Sequence, residues 1–237
     1  MMINWTDQRL LVVAPHPDDE LLGCGGLINL VKRSGGQVFV LFVTVGDTRD
    51  FSQAGQSTGS EREREIEEVV KHFGVDGHHI ALRGSDYHLR LDHLPRQRLI
   101  DLLERDSPLS FSEIRPSVVL LPEITSYNQD HKSVAHAGIT ALRPGPRDER
   151  HQPDIVLMYE EVADGWSGES ISPRNFYVGI EPIDLDQKIE GLRRYASQWR
   201  THPHTRSEEA LRGLAAVRGV QCGQPLAEAF TCLRFTA

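Results

Sequence analysis

Long hydrophobic runs are missing from this 237-residue chain. The strongest, Val38 to Val45, is far shorter than the roughly 20 residues a spanning helix needs, and its β-branched content reads as a buried strand. The opening residues, MMINWTDQRL, lack the apolar core of a secretion signal. Cysteine is scarce. Cys24, Cys222 and Cys232 are an odd set without metal-binding spacing, which favours free thiols in a reducing compartment. A cytoplasmic protein with no transmembrane segment is expected. No run of Lys and Arg offsets the net charge of -8, so nucleic acid is not an expected partner.

What is present suits one globular unit. Apolar residues make up 39% and charged residues 25% of the chain, enough to bury a sizeable core, and no linker divides residues 1–237 into two domains. Strand and helix patterns alternate. Strands are predicted over 10–14, 38–44, 79–82, 117–121, 155–159, 176–180 and 229–235. Helices are predicted over 20–32, 60–73 (capped by Ser60), 94–104, 131–142, 184–198 and 207–218. That alternation predicts an α/β fold with a mostly parallel sheet and helices on both faces. Three long polar stretches, Gly46–Ser60, Arg143–Pro153 and Ala163–Asn175, interrupt it as functional rims or mobile connections.

The segment Pro15-His16-Pro17-Asp18-Asp19-Glu20 lies where the first strand ends and the first helix begins. Ligands of open α/β sheets bind at that edge. Three acids and a His crowded there need a compensating cation, and a divalent metal supplies one. A nucleotide phosphate, the common occupant of such a turn, would be repelled. Gly23, Gly25 and Gly26 come later, do not form GxGxxG, and are explained by close helix–strand packing. The competing explanation is that Asp18 and Asp19 merely cap the helix, but one Asp suffices for that.

A second cluster, Asn128-Gln129-Asp130-His131, follows the 117–121 strand by a short loop and so falls at the same edge. Asp130 is placed to hold the other ring nitrogen of a metal-bound His131. His136, five residues on, points elsewhere and reads as structural or rim. His202 and His204 read as solvent residues in a Pro-containing loop.

The first segment, with Gly23-Cys24-Gly25-Gly26 after it, resembles the opening motif of the PIG-L/LmbE-like N-acetyl-sugar deacetylases. Thr44-Val45-Gly46-Asp47, Arg62 with Glu65, Phe73-Gly74 and Asp130-His131 continue the likeness. Tyr195, Ser197-Gln198, Arg218-Gly219 and Ala227-Glu228-Ala229-Phe230 carry it weakly to the C-terminus. The resemblance implies a Rossmann-like fold and Zn²⁺ (or another divalent metal such as Fe²⁺) held by His16, Asp19 and His131. It implies Asp18 as general base in hydrolysis of an N-acetyl group, and Arg62 as a substrate-contacting residue, a surface salt bridge with Glu65 being the plainer alternative. The family pattern HxDH has His where this chain has Asn128, which can donate a hydrogen bond to an oxyanion but does not titrate.

The expected function is therefore metal-dependent removal of an N-acetyl group from an amino-sugar substrate, a small N-acetylated sugar or glycoconjugate. A homo-oligomer is compatible with the sequence. Two alternatives stand beside it. Two imidazoles and a carboxylate also form the non-haem Fe(II) pattern, although the extra Asp18 suits hydrolysis better. A metal-binding recognition module without catalysis is the other, and Asn128 is the residue that favours it. Trp166, in a Gly/Ser loop, could stack on a sugar ring, pack internally or meet a second copy.

Overall fold

The structure is a computed structural model that describes residues 3–49, 54–170 and 172–236. Residues 50–53 of the first polar stretch and residue 171 of the third lie outside the described residues. Strands β1 (Arg9–Ala14), β2 (Gln37–Val45), β5 (Gly77–Arg83), β6 (Val118–Pro122) and β7 (Ile155–Tyr159) form the parallel part of one sheet. Strands β9 (Ala227–Phe235) and β8 (Phe176–Gly179) complete it antiparallel, in the order β5-β2-β1-β6-β7-β9-β8. The sheet is mostly parallel and seven-stranded, as alternating strand and helix patterns require. A short hairpin, β3 (Thr48–Arg49) with β4 (Gln56–Ser57), lies apart within the first polar stretch.

The strand order reverses between β1 and β6. The chain first builds outward through β2 and β5, then returns to the other side of β1. Such a switch leaves a crevice at the carboxyl ends of the two strands, because their following loops leave in opposite directions. The helices that close it are α1 (Asp19–Arg33) after β1 and α5 (Gln129–Ala141) after β6.

Alternation along the strands splits the core into two layers. Leu10 and Val12 of β1 pack on one face with Leu21 and Leu27 of α1, Ile66 of α2 (Gly59–Phe73) and Leu185 of α6 (Pro182–Arg194). Leu11 and Val13 pack on the other with Leu99 of α3 (Arg96–Asp101) and Val134 of α5. The α3 helix continues as a π turn over Leu102–Asp106, and a short α4 (Phe111–Ile114) follows. No described helix is long and apolar enough to cross a membrane.

Some boundaries differ from the sequence expectation. Helix α2 is capped not by Ser60 but by Thr58, whose side chain accepts from Glu61 N while Glu61 reciprocates. Helix α6 ends at Arg194 and not 198, with Tyr195 as its cap. Helix α7 (Glu208–Cys222) runs past Gly219 to a left-handed Gly223. Gly219 is retained for closeness, since a Cβ there would come within 2.6 Å of Gln224 O.

Candidate metal centre

The turn after β1 is held tightly. Thr44 N, near the end of β2, donates to Pro15 O at 3.0 Å. Asp18 then adopts φ 98°, a left-handed conformation that costs a non-glycine residue on the order of 1–3 kcal/mol. Its side chain makes no capping bond to α1, which removes the capping explanation. The conformation sends adjacent carboxylates to different partners. Asp19 Oδ2 accepts from His16 N at 2.7 Å and lies 3.3 Å from His16 Nδ1 and 3.2 Å from His131 Nε2. Asp18 instead lies 3.5 Å from Arg62 Nη2 and 3.2 Å from Arg206 Nε, and neither of its buried oxygens receives a hydrogen bond.

His131 reaches the same point from the first turn of α5, which Asn128 opens by accepting Asp130 N on its side-chain oxygen at 2.9 Å. One donor atom each from His16, Asp19 and His131 lies within 4.8 Å of the others, and all three residues are buried. Tetrahedral Zn²⁺ with bonds of about 2.0–2.1 Å separates neighbouring ligand atoms by roughly 3.3–3.4 Å. The 3.2 and 3.3 Å spacings fit that requirement. The charges fit it too. Burial pulls the His16 imidazole down, but hydrogen bonds to Asp130 and Asp19 outweigh it and lift it to about 9. Burial also raises Asp19, yet His131 and His16 hold its carboxyl well below the usual range. These groups are arranged to be satisfied by positive charge.

Asp130 corrects one expectation. It does not hold His131, whose Nδ1 has no partner. Its Oδ2 instead accepts from His16 Nε2 at 2.9 Å, while Oδ1 accepts from Leu91 N. The residue next to one proposed ligand thus orients the other, leaving His16 Nδ1 facing Asp19. Arg62 is only 3% exposed, so no surface salt bridge exists. It donates to Pro17 O and Thr48 Oγ1, and Glu65 accepts from the backbone and hydroxyl of Ser197. His136, His202 and His204 are exposed.

Three neighbours escaped the sequence reading. His88 stands edge-on to the His16 ring at 5.1 Å and is held between Thr44 and Thr48 hydroxyls. Burial and the charge of His16 push its imidazole down to about 3. Arg206 comes from the loop before α7, with Nη1 donating to Gln198 Oε1. Glu161, after β7, is pushed well above the usual carboxyl range by burial and then by Asp19. Leu22, Tyr127, Glu161, His204, Thr205 and Arg206 line a cavity of about 190 Å³, and Arg206 in its wall pairs with Asp18. Trp166 is 83% exposed, which excludes internal packing.

Known proteins share this arrangement of elements. The model of the GlcNAc-PI de-N-acetylase family, PIG-L, matches residues 11–142. Diacetylchitobiose deacetylase of Thermococcus kodakarensis is 25% identical over 233 residues, covering 93% of this chain and 81% of that one. The conserved protein TT1542 of Thermus thermophilus superposes with a TM-score of 0.70 at 26% identity, over 94% of each chain. GalB, the 4-carboxy-2-hydroxymuconate hydratase of Pseudomonas putida, shares the fold at 20% identity, with a TM-score of 0.68 over 97% of this chain and 98% of that one. The fold alone therefore does not fix the reaction. The family match takes in both clusters of the candidate centre and more than half of the chain, and the protein belongs to the PIG-L family.

Proposed function

We propose that this chain, as one domain over residues 1–237, is a metal-dependent amidohydrolase that removes the N-acetyl group from an amino-sugar substrate. The observation that carries the reading is the His16–Asp19–His131 cluster with a second buried carboxylate, Asp18, left without a hydrogen bond beside it. A cation bound there, zinc in this reading with Fe²⁺ as the other candidate, supplies Lewis acidity toward water and the amide carbonyl.

Asp18 is the general base in this reading. It takes a proton from the attacking water and returns it to the leaving nitrogen, so that acetate and a free amine result. Arg62 and Arg206 flank it and favour its charged form, against burial, which raises its pKa. Asn128 uses its oxygen to cap α5, and its –NH₂ group is the hydrogen-bond donor to the developing oxyanion. With no imidazole at position 128, Asp18 serves both proton transfers. The amino-sugar class follows from the family and from the named activity of the Thermococcus relative. A reducing, cytoplasmic setting suits the three free thiols.

The test is release of amine and acetate from a panel of N-acetylated sugars, N,N′-diacetylchitobiose included, by the zinc-loaded protein. Stoichiometric acetate and amine are expected. Bound metal without amine release from any member would favour the recognition module instead.

A further inference from the structure

Asp18 is strained, and the strain has a support. The Asp18 N–H donates to Glu20 Oε2 at 3.1 Å. The other oxygen of that carboxylate, Oε1, accepts the Tyr195 hydroxyl at 2.7 Å. Glu20 and Tyr195 are both fully buried, with 1% and 0% of their surfaces exposed. A hydroxyl bonded to one oxygen of the Glu20 carboxyl group restricts that group's rotation about its terminal bond. That rotation decides whether Oε2 faces the Asp18 peptide.

Tyr195 is well placed for such a task. It caps α6, and its carbonyl accepts from both Gln198 and Trp199 N at 2.8 Å. The turn it organises therefore leads directly to Gln198, whose side-chain oxygen accepts from Arg206, and Arg206 meets the Asp18 carboxylate at 3.2 Å. The connection between α6 and α7 reaches Asp18 twice, at its backbone through Tyr195 and Glu20 and at its side chain through Gln198 and Arg206.

We propose that Tyr195 is a positioning residue: through Glu20 it holds the Asp18 peptide in its left-handed conformation and so aims the Asp18 carboxylate. The inference rests on the reading of Asp18 as the base. Neither Tyr195 nor Glu20 touches the reacting atoms. A left-handed non-glycine peptide persists only where its surroundings over-determine it. Without the hydroxyl, Glu20 can turn, the Asp18 peptide relaxes, and the base swings off line. Displacement of a catalytic group by about 1 Å lowers turnover by up to roughly 100-fold.

The variant that isolates this is Tyr195→Phe, which keeps the buried ring and removes one oxygen. The assay uses the N-acetylated sugar with the highest turnover in the panel. The expected result is a fall in kcat of about 10- to 100-fold, with KM and bound zinc per chain within about twofold of the parent. Glu20→Gln retains an acceptor oxygen and is expected to keep more kcat than Glu20→Ala at equal zinc content. Full kcat in Tyr195→Phe, or a kcat loss matched by an equal loss of zinc, overturns the proposal. Should Tyr195→Phe fail to fold, equal kcat in Glu20→Gln and Glu20→Ala overturns it. Asp18→Asn, assayed alongside, separates the two claims. If Asp18→Asn turns over normally, the base assignment is wrong. If it is inactive while Tyr195→Phe is fully active, only the positioning role falls.

Discussion

At the scale of single residues, Asp18 and the proposed ligands should part company under mutation. Asp18→Asn is expected to keep bound metal and lose about 10²–10⁴-fold in kcat, whereas His131→Ala should lose the metal itself. Elemental analysis beside the amine assay distinguishes them, and turnover surviving in Asp18→Asn would remove it as base. Acidity gives a second residue-level test. In metal-stripped protein, burial raises Glu20 from 4.5 to about 8, and hydrogen bonds lift His16 from 6.5 to about 9 against burial. Both groups bind protons more tightly when folded, so their contributions are full at low pH and are lost as pH rises. His88, lowered to about 3, acts in the opposite sense only below pH 6.5. The melting temperature of the stripped protein should therefore fall between pH 6.5 and 9, and less steeply in Glu20→Gln. A flat profile would contradict the burial of Glu20 and the hydrogen bonds that hold the proton on His16. The proposed ligands were legible in sequence because acids and imidazoles at two strand ends share one crevice. The partner of each ring nitrogen was not. Adjacency suggested that Asp130 serves His131, but consecutive residues of a helix point about 100° apart, and Asp130 turns to His16 instead.

Among the elements, α1 shows best how the frame holds the site. Its backbone leaves helical geometry at Cys24, and the freed N–H groups of Gly26 and Leu27 donate to the Glu228 carboxylate, which also pairs with Lys188 at 2.8 Å. Glu228→Ala strands a buried lysine and uncaps the second half of α1. A loss of about 3–5 kcal/mol is expected from urea unfolding, and a loss under 1 kcal/mol would show that the pair carries little. The close approach of α1 to the sheet also limits residue size. A Cβ on Gly23 would fall 2.1 Å from the Tyr159 ring, so Gly23→Ala should cost about 1–3 kcal/mol. The order of strands and helices follows from hydrophobic spacing. The β3–β4 hairpin and α4 did not, because two- and four-residue elements carry no period to detect. Arg206 and Tyr195 were equally hidden as parts of the Asp18 environment. Their contacts span 188 and 175 residues, and no local pattern encodes that closure.

Over the whole molecule, a cation that binds only the folded chain must stabilise it by mass action, by about 2.7 kcal/mol at a free concentration 100 times its Kd. Zinc should thus raise the melting temperature of the parent and leave His131→Ala unmoved; an equal rise in both would place the stabilising ion elsewhere. The sheet's reversal between β1 and β6 puts the two clusters at one crevice although 115 residues separate His16 from His131. Everything proposed about chemistry depends on an ion at that crevice. The most direct measurement is anomalous diffraction at the zinc edge from crystals of the zinc-loaded protein. The expected result is a single strong peak at bonding distance from His16 Nδ1, a carboxylate oxygen of Asp19 and His131 Nε2. A fully loaded protein with no peak between those three side chains, or with its peak at another site, would contradict the account.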